Sequence, residues 1–223
     1  LDYVANHVHE DHPIYKKHPD WATDLYLPDG SMNIERWDDQ RLTTWFDTFL
    51  PTLDLSRPEV YSAMTDSAMW WVENSGVDGF RHDATKHIPE VFWRTLTKKM
   101  KVINRTRGRR LFQIGETYGS PTLIRSYISS GMLDAQFDFN HYDAAVAALA
   151  FDDGSFKNLA STARESLKSY GAHNLMGNIT GNQDRIRFTS LADGGVVPEG
   201  NGKFEGWTQD IQHVNGGGGF EKM

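Results

Sequence analysis

Gly79-Phe80-Arg81-His82-Asp83-Ala84-Thr85-Lys86-His87 changes character halfway along. Residues 76–81 read as a short buried strand, and the run then breaks into charged and polar groups at Arg81-His82-Asp83. Four further segments share this form: residues 1–6, 111–115, 133–139 and 174–180. Short apolar runs with polar ends suit a sheet buried on both faces. Helical patterns lie between them. Ser56-Arg57-Pro58-Glu59 reads as a capping box, followed to Asn74 by Val60, Ala63, Met64 and Trp71 at helical spacing, with Gly76 as the stop. Pro89 opens a helix with Val91, Phe92, Leu96, Met100 and Ile103 on one side. Others are expected over residues 121–128, 142–150 and 156–170. Strand and helix alternating at about 30 residues is the pattern of βα units and a parallel sheet. Residues 8–50 have little periodicity and read as an insertion on the loop after the first strand. Gly216–Gly219 reads as a flexible connection.

The composition agrees with a folded α/β chain. The 223 residues are 39% hydrophobic and 24% charged, with 23 basic against 30 acidic side chains, for a net charge of -7. Wholesale disorder and a coiled coil are excluded on that basis. No uncharged apolar run approaches the roughly 20 residues of a membrane span. An acidic chain without a basic block is a poor nucleic-acid binder. With no cysteine there is no disulfide, thiolate zinc site or thiol nucleophile. The 7 Trp, 8 Tyr and 12 Phe supply flat apolar faces for core packing and for ligand stacking.

The chemistry-bearing residues gather at strand ends. The first strand ends in Asn6-His7, the second in Arg81-His82-Asp83 and the third in Glu116; the fifth leads to Asn182-Gln183-Asp184. In parallel βα barrels the carboxyl ends of the strands carry the active site, so these groups are expected to converge. Each acid taken alone could cap a helix or pair with Lys or Arg. Four such constellations in succession point instead to acid/base or nucleophilic chemistry on a polar substrate. Arg81, two residues from Asp83 on one strand, faces the same side and can keep it ionised.

The same residues resemble the signature regions of the α-amylase family of glycoside hydrolases, family 13. Asp2-Tyr3-Val4-Ala5-Asn6-His7 is similar to the first region, D-x-V-x-N-H. Leu50-Pro51-Thr52-Leu53-Asp54 resembles the short region between an inserted domain and the next helix. Residues 79–87 match G-F-R-x-D-A-x-K-H, Gly115-Glu116 the third region, and Asn182-Gln183-Asp184 the fourth, usually N-H-D.

The resemblance implies a partial (β/α)8 TIM barrel, strands 3 to 7, with residues 8–50 as a short inserted loop domain. On that reading the N- and C-terminal parts of the barrel lie outside this chain, which is then unable to work alone. It implies retaining cleavage of α-1,4-glucosidic bonds in starch, pullulan or maltodextrins, closest to neopullulanase and maltodextrin-degrading members. Asp83 is implied as nucleophile, Glu116 as general acid/base and Asp184 as the acid that stabilises the transition state. Glu116 is expected in a less polar setting beside a negative charge. His7, Arg81, Lys86, His87, Tyr118 and Gln183 are implied as substrate-binding, with Lys86 and His87 on the leaving-group side. Gln183 stands where the family has His; an amide still donates to a hydroxyl but carries no charge.

Further implications are an α-glucan partner, a periplasmic or extracellular location, no organic cofactor and a structural Ca2+ held through Asn6 and backbone oxygens near His87. The oligomeric state is not legible. Of the aromatics, Tyr118 is the best candidate for substrate contact, Trp45 and Phe46 are expected to pack under the insertion, and Trp70, Trp71 and Trp93 to be core. Two other readings stand beside this one. The first is a non-catalytic glucan-binding protein on the same scaffold. The second is a zinc hydrolase, because His7-Val8-His9-Glu10-Asp11-His12 also fits H-x-H-x-D-H, in which His7, His9, Asp11 and His12 would hold metal.

Overall fold

The computed structural model describes residues 1–108 and 110–196; Gly216–Gly219 lies outside the described residues. Five strands, β1 (Asp2–Tyr3), β2 (Gly79–His82), β3 (Phe112–Gly115), β4 (Ala135–Phe137) and β5 (Leu175–Gly177), form one sheet in sequence order. β1 pairs with β2, β2 with β3 and β3 with β4, all parallel. Helices connect them: α1 (Pro13–Lys17), α2 (Pro58–Ser75), α3 (Glu90–Arg107), α4 (Pro121–Ser126), α5 (Phe139–Ala150), α6 (Phe156–Tyr170) and α7 (Phe188–Ala192). The chain divides into two compact units. One comprises Leu1–Tyr118 with Leu123–Gln136, the other Gly119–Thr122 with the chain from Phe137.

In the first unit, α2 and α3 pack together and cover the sheet. The buried stripe of α2 is Val60, Met64, Ala68 and Val72, a strict four-residue spacing. Trp70 and Trp71 fall off that stripe and are 55% and 40% exposed, so they are not core as expected. Trp93 is, at 0% exposure, with Phe92, Leu96, Met100 and Ile103; Val91, one position round the helix, is outside. The capping box is also absent. Arg57 is the N-cap of α2 and makes no side-chain cap bond, while Ser56 turns back and its N–H donates to Asp54 Oδ1 at 3.1 Å. Gly76 ends α2 with φ +69, a left-handed cap, and so cannot begin the strand. Residues 8–50 carry α1, one 3₁₀ turn and isolated bridges, among them Tyr26 to Met32 and Ile34 to Trp45.

The second unit holds its own core of Phe139, Tyr142, Val146, Ala150, Ile186 and Leu191. Asp138 caps α5 by accepting from the His141 N–H at 3.0 Å, and its own N–H donates to Gly177 O at 3.1 Å, tying the end of β4 to β5. Ser155 caps α6 in the same manner. The short helix α7 has no counterpart among the expected elements.

Close approach explains one glycine. A Cβ on Gly115 would sit 2.4 Å from Gln136 Nε2 and 2.6 Å from both Leu133 Cδ2 and Thr85 Oγ1. The last residue of β3, directly before Glu116, is therefore held among three fully buried side chains. Gly115→Ala is expected to destabilise the protein by about 3 kcal/mol, the upper range for overpacking a filled core. The alanine substitution at Gly76, where nothing lies within 4 Å, is expected to cost only about 1–2 kcal/mol for its positive φ. Urea denaturation of both variants tests the ranking; equal losses would refute the packing account.

Candidate active site

Parallel pairing of β2 with β3 sets His82 opposite Gly115, so the residues that follow, Asp83 and Glu116, leave adjacent strands side by side. Arg81 joins them. Its Nη1 donates to Asp83 Oδ1 at 2.7 Å and to Asp2 Oδ1 at 2.9 Å, and its Nη2 lies 2.8 Å from Glu116 Oε2. One planar guanidinium thus holds both carboxylates through its two ends. The side chains of Arg81, Asp83 and Glu116 are each less than about one-fifth exposed. Burial alone would pull the Arg81 pKa down, but the Glu116 charge and the bonds to Asp2 and Asp83 overcome it and hold it above its ordinary value. Glu116 therefore has the Arg81 cation beside it as well as the Asp83 carboxylate that shares that cation.

The backbone locks the two strand ends together. Glu116 N–H donates to His82 O at 2.9 Å, and Thr85 N–H donates to Glu116 O at 2.9 Å. Between them Ala84 is left-handed at φ 49 and ψ 36, a conformation that costs a non-glycine residue about 1–2 kcal/mol. The Thr85–Glu116 bond and the Thr85 hydroxyl, which donates to His82 O at 3.2 Å, hold the turn in place.

Behind the carboxylates lies a polar layer that sequence reasoning missed. His82 is fully buried between β2 and α3, with its ring 4.8 Å from that of Trp93. Gln113 Nε2 donates to Thr97 Oγ1 at 2.7 Å, and Thr97 Oγ1 donates to Met132 O at 2.6 Å. That leaves Gln113 Oε1 to accept from His82 Nε2 at 3.0 Å. Burial pushes the His82 pKa down to about 3, with the Gln113 bond opposing the shift. A lone histidine inside a strand carries no local signal of this role, because its partners lie 15 to 50 residues away in the chain.

His7, Lys86 and His87 are brought together with the segment 8–50. His7 stacks on Phe46 at 4.2 Å between ring centroids, and Phe46 and Trp37 pack edge-on against His87 at 5.2 and 5.5 Å. Burial lowers the His7 pKa, partly offset by the Asp83 charge. Burial also lowers that of His87, to about 4, and that of Lys86, whose Nζ lies 3.7 Å from Asp38 Oδ1. Trp45 is buried as expected and donates from Nε1 to Thr23 O at 3.0 Å. Tyr118 is exposed.

Asn182, Gln183 and Asp184 belong to the second unit and form a local turn there. Asp184 N–H donates to Asn182 Oδ1 at 3.0 Å, and Gln183 Nε2 to Asp184 Oδ2 at 3.0 Å.

The residues of the zinc reading have separate employments. His12 Nδ1 caps α1 by accepting from Ile14 N–H, His9 Nδ1 accepts from Asp11 N–H, Asp11 pairs with Lys16 at 2.8 Å, and His7 stacks on Phe46. Among the described residues no cluster of three or more His, Cys, Asp or Glu side chains is placed to hold a metal. For calcium the fit is mixed. Asn6 is fully buried with neither amide atom hydrogen-bonded, so its Oδ1 suits an oxygen-seeking cation. The Lys86 carbonyl, next to His87, does not suit one, because the Arg41 guanidinium already donates to it.

A parallel α/β sheet carrying a carboxylate pair at its strand ends has the layout of a βα-barrel site, and comparison with known proteins specifies the family. The family model for the α-amylase catalytic domain matches residues 1–198, and the chain belongs to that family. It is 32% identical over 156 residues to an α-amylase of Streptomyces lividans, covering 68% of this chain and 16% of that protein. A cyclomaltodextrinase of Geobacillus thermopakistaniensis is 25% identical over 158 residues, covering 68% and 26%. The solved α-amylase of Geobacillus thermoleovorans, complexed with acarbose, superimposes with a TM-score of 0.73 at 32% identity, over 86% of this chain and 42% of that one. The chain thus spans less than half of the proteins it matches, and its fold is a partial (β/α)8 barrel. Among the described residues no helix is long and apolar enough to cross a membrane.

Two buried imidazoles held neutral make stability depend on pH. Each binds a proton in the unfolded chain near pH 6.5 but only near 3 (His82) or 4 (His87) when folded. Their contribution is therefore fully present above pH 6.5 and is lost as pH falls below it, by up to about 1.4 kcal/mol per pH unit per group. Urea midpoints between pH 7.5 and 5 are expected to fall, and His82→Gln to flatten that slope. An unchanged slope in the variant would show that His82 is not the titrating group.

Proposed function

We propose that the protein carrying this chain is a retaining glycoside hydrolase that cleaves α-1,4-glucosidic bonds in starch, pullulan or maltodextrins. The observation that supports it most is the Arg81 guanidinium shared between Asp83 and Glu116 on adjacent strand ends. Carboxylates close enough to share one guanidinium suit the short separation of retaining enzymes, about 5–5.5 Å, better than the about 6.5–9.5 Å of inverting ones.

In the first step an Asp83 oxygen attacks the anomeric carbon. The bond to the leaving oxygen breaks and Glu116 gives that oxygen its proton. In the second step water attacks the same carbon, Glu116 takes the proton from the water, and the bond to Asp83 breaks. Arg81 orients Asp83 for attack through the hydrogen bond from its Nη1. Arg81 also pairs with Glu116 from its other end, which fixes the position of the acid relative to Asp83. Asp184 acts as the third acid on the strength of Asn182-Gln183-Asp184, with Gln183 giving a neutral hydrogen bond where relatives have an imidazole. His7 and Tyr118 contact the sugar, and Lys86 and His87 the leaving-group side. Kinship with cyclomaltodextrinases and α-amylases supports α-glucans as the substrate class. Calcium, where bound through Asn6 Oδ1, would be structural, and no step passes through it.

Incubation with maltooligosaccharides should release shorter products with the α configuration retained. Asp83→Asn and Glu116→Gln should each lower the rate by several orders of magnitude while binding survives. Near-normal turnover in either variant would overturn its role. Binding without turnover in the parent protein would favour a non-catalytic glucan-binding protein.

A further inference from the structure

Arg41 reaches out of the aperiodic segment 8–50 and grips the turn after β2 twice. Its Nη1 donates to the Lys86 carbonyl and, at 2.6 Å, to Tyr127 Oη. Tyr127, itself buried, donates to the same Lys86 carbonyl at 3.2 Å. The backbone carbonyl of Arg41 lies 2.7 Å from His87 Nδ1. A carbonyl can only accept, so Nδ1 carries the ring proton and Nε2 keeps its lone pair. Trp37 and Phe46, on either side of Arg41 in the chain, close over the His87 ring. The Asp38–Lys86 pair adds little, since Asp38 is almost fully exposed.

These contacts fix three properties of the turn at once: the path of its backbone at Lys86, the tautomer of His87, and the direction from which both are reached. We propose that Arg41 is a positioning residue for Lys86 and His87 and thereby governs how the leaving-group portion of an oligosaccharide is held. This rests on the glycosidase reading above. Arg41 touches no reacting atom in that reading; it acts through a carbonyl and a ring. The planar guanidinium suits the task because it presents several rigid donors, whereas a lysine ammonium is a point charge on a flexible stem.

The test compares two substrates in the full-length protein. Maltopentaose has a sugar as leaving group and needs that side of the site. A nitrophenyl maltoside releases a stable nitrophenolate as its leaving group and needs that side far less. Arg41→Ala should lower kcat/KM for maltopentaose about tenfold or more, mainly through KM, and change it less than about threefold for the nitrophenyl substrate. Arg41→Lys should recover part of the loss. Tyr127→Phe, which removes one hydroxyl from the same cluster, should shift the two substrates unequally in the same direction, and it keeps the test available if Arg41→Ala fails to fold. Equal losses on both substrates, or none on either, would overturn the proposal. Absence of turnover by the parent protein on both substrates would instead overturn the glycosidase reading beneath it.

Discussion

Two carboxylates brought side by side repel one another, and a positive charge between them offsets that repulsion. Arg81 supplies that charge from the strand that also carries Asp83, and reaches the end of the neighbouring strand at Glu116. The arrangement is possible because parallel strands in register place their carboxyl ends together. It persists because Arg81, at under one-fifth side-chain exposure, is largely shielded from water that would weaken its ion pairs. Asp2, from the third strand in contact, adds a further acceptor and ties β1 to the same centre. The sheet, the left-handed turn at Ala84 and the absence of a side chain at Gly115 all serve to keep this cation and its partners in one place.

The opposite face of the same strands is organised by hydrogen bonds rather than charge. His82, Gln113 and Thr97 form a chain from β2 through β3 to α3, ending on the Met132 carbonyl. A buried polar group left unpaired costs about 1–3 kcal/mol, so such a chain favours one register over its neighbours. The strand that carries Asp83 is thus held from both sides, by ion pairs on one and neutral hydrogen bonds on the other. Neutrality on the inner side matters: a charged His82 would stand beside Arg81 and add an unpaired cation to the core.

Legibility follows chemistry more than it follows periodicity. The strand ends at Arg81-His82-Asp83 and Gly115-Glu116 are readable because a charged cluster directly after a short apolar run marks where a buried strand meets a polar site. Helix α6 is legible to the residue, since Ser155 and Gly171 bracket one continuous pattern. Trp70 and Trp71 mislead because bulk and apolarity suggest burial, while the stripe through Val60, Met64, Ala68 and Val72 excludes them. Ser56 resembles a cap, but the nearer Asp54 carboxylate captures its N–H. Arg41 belongs to no local pattern, and His82, read as one of the converging strand-end groups, is instead buried against Gln113 and Trp93 because neighbouring residues of a strand point to opposite faces.

By itself, then, the sequence determined the parallel α/β class and the family and marked Asp83 and Glu116 as acids at strand ends, because alternation and residue chemistry are local properties that survive in one dimension. Tertiary structure alone decided that Arg81 bridges Asp83 and Glu116, that His82 is buried and neutral, and that Arg41 grips Lys86 and His87. Glu116 lies 35 residues from Arg81, Gln113 lies 31 from His82, and Lys86 lies 45 from Arg41. The physical reason is common to all three. A partner so distant in the chain is selected by the register of the strands and the path of an irregular loop, and both are settled only when the sheet forms and its side chains pack.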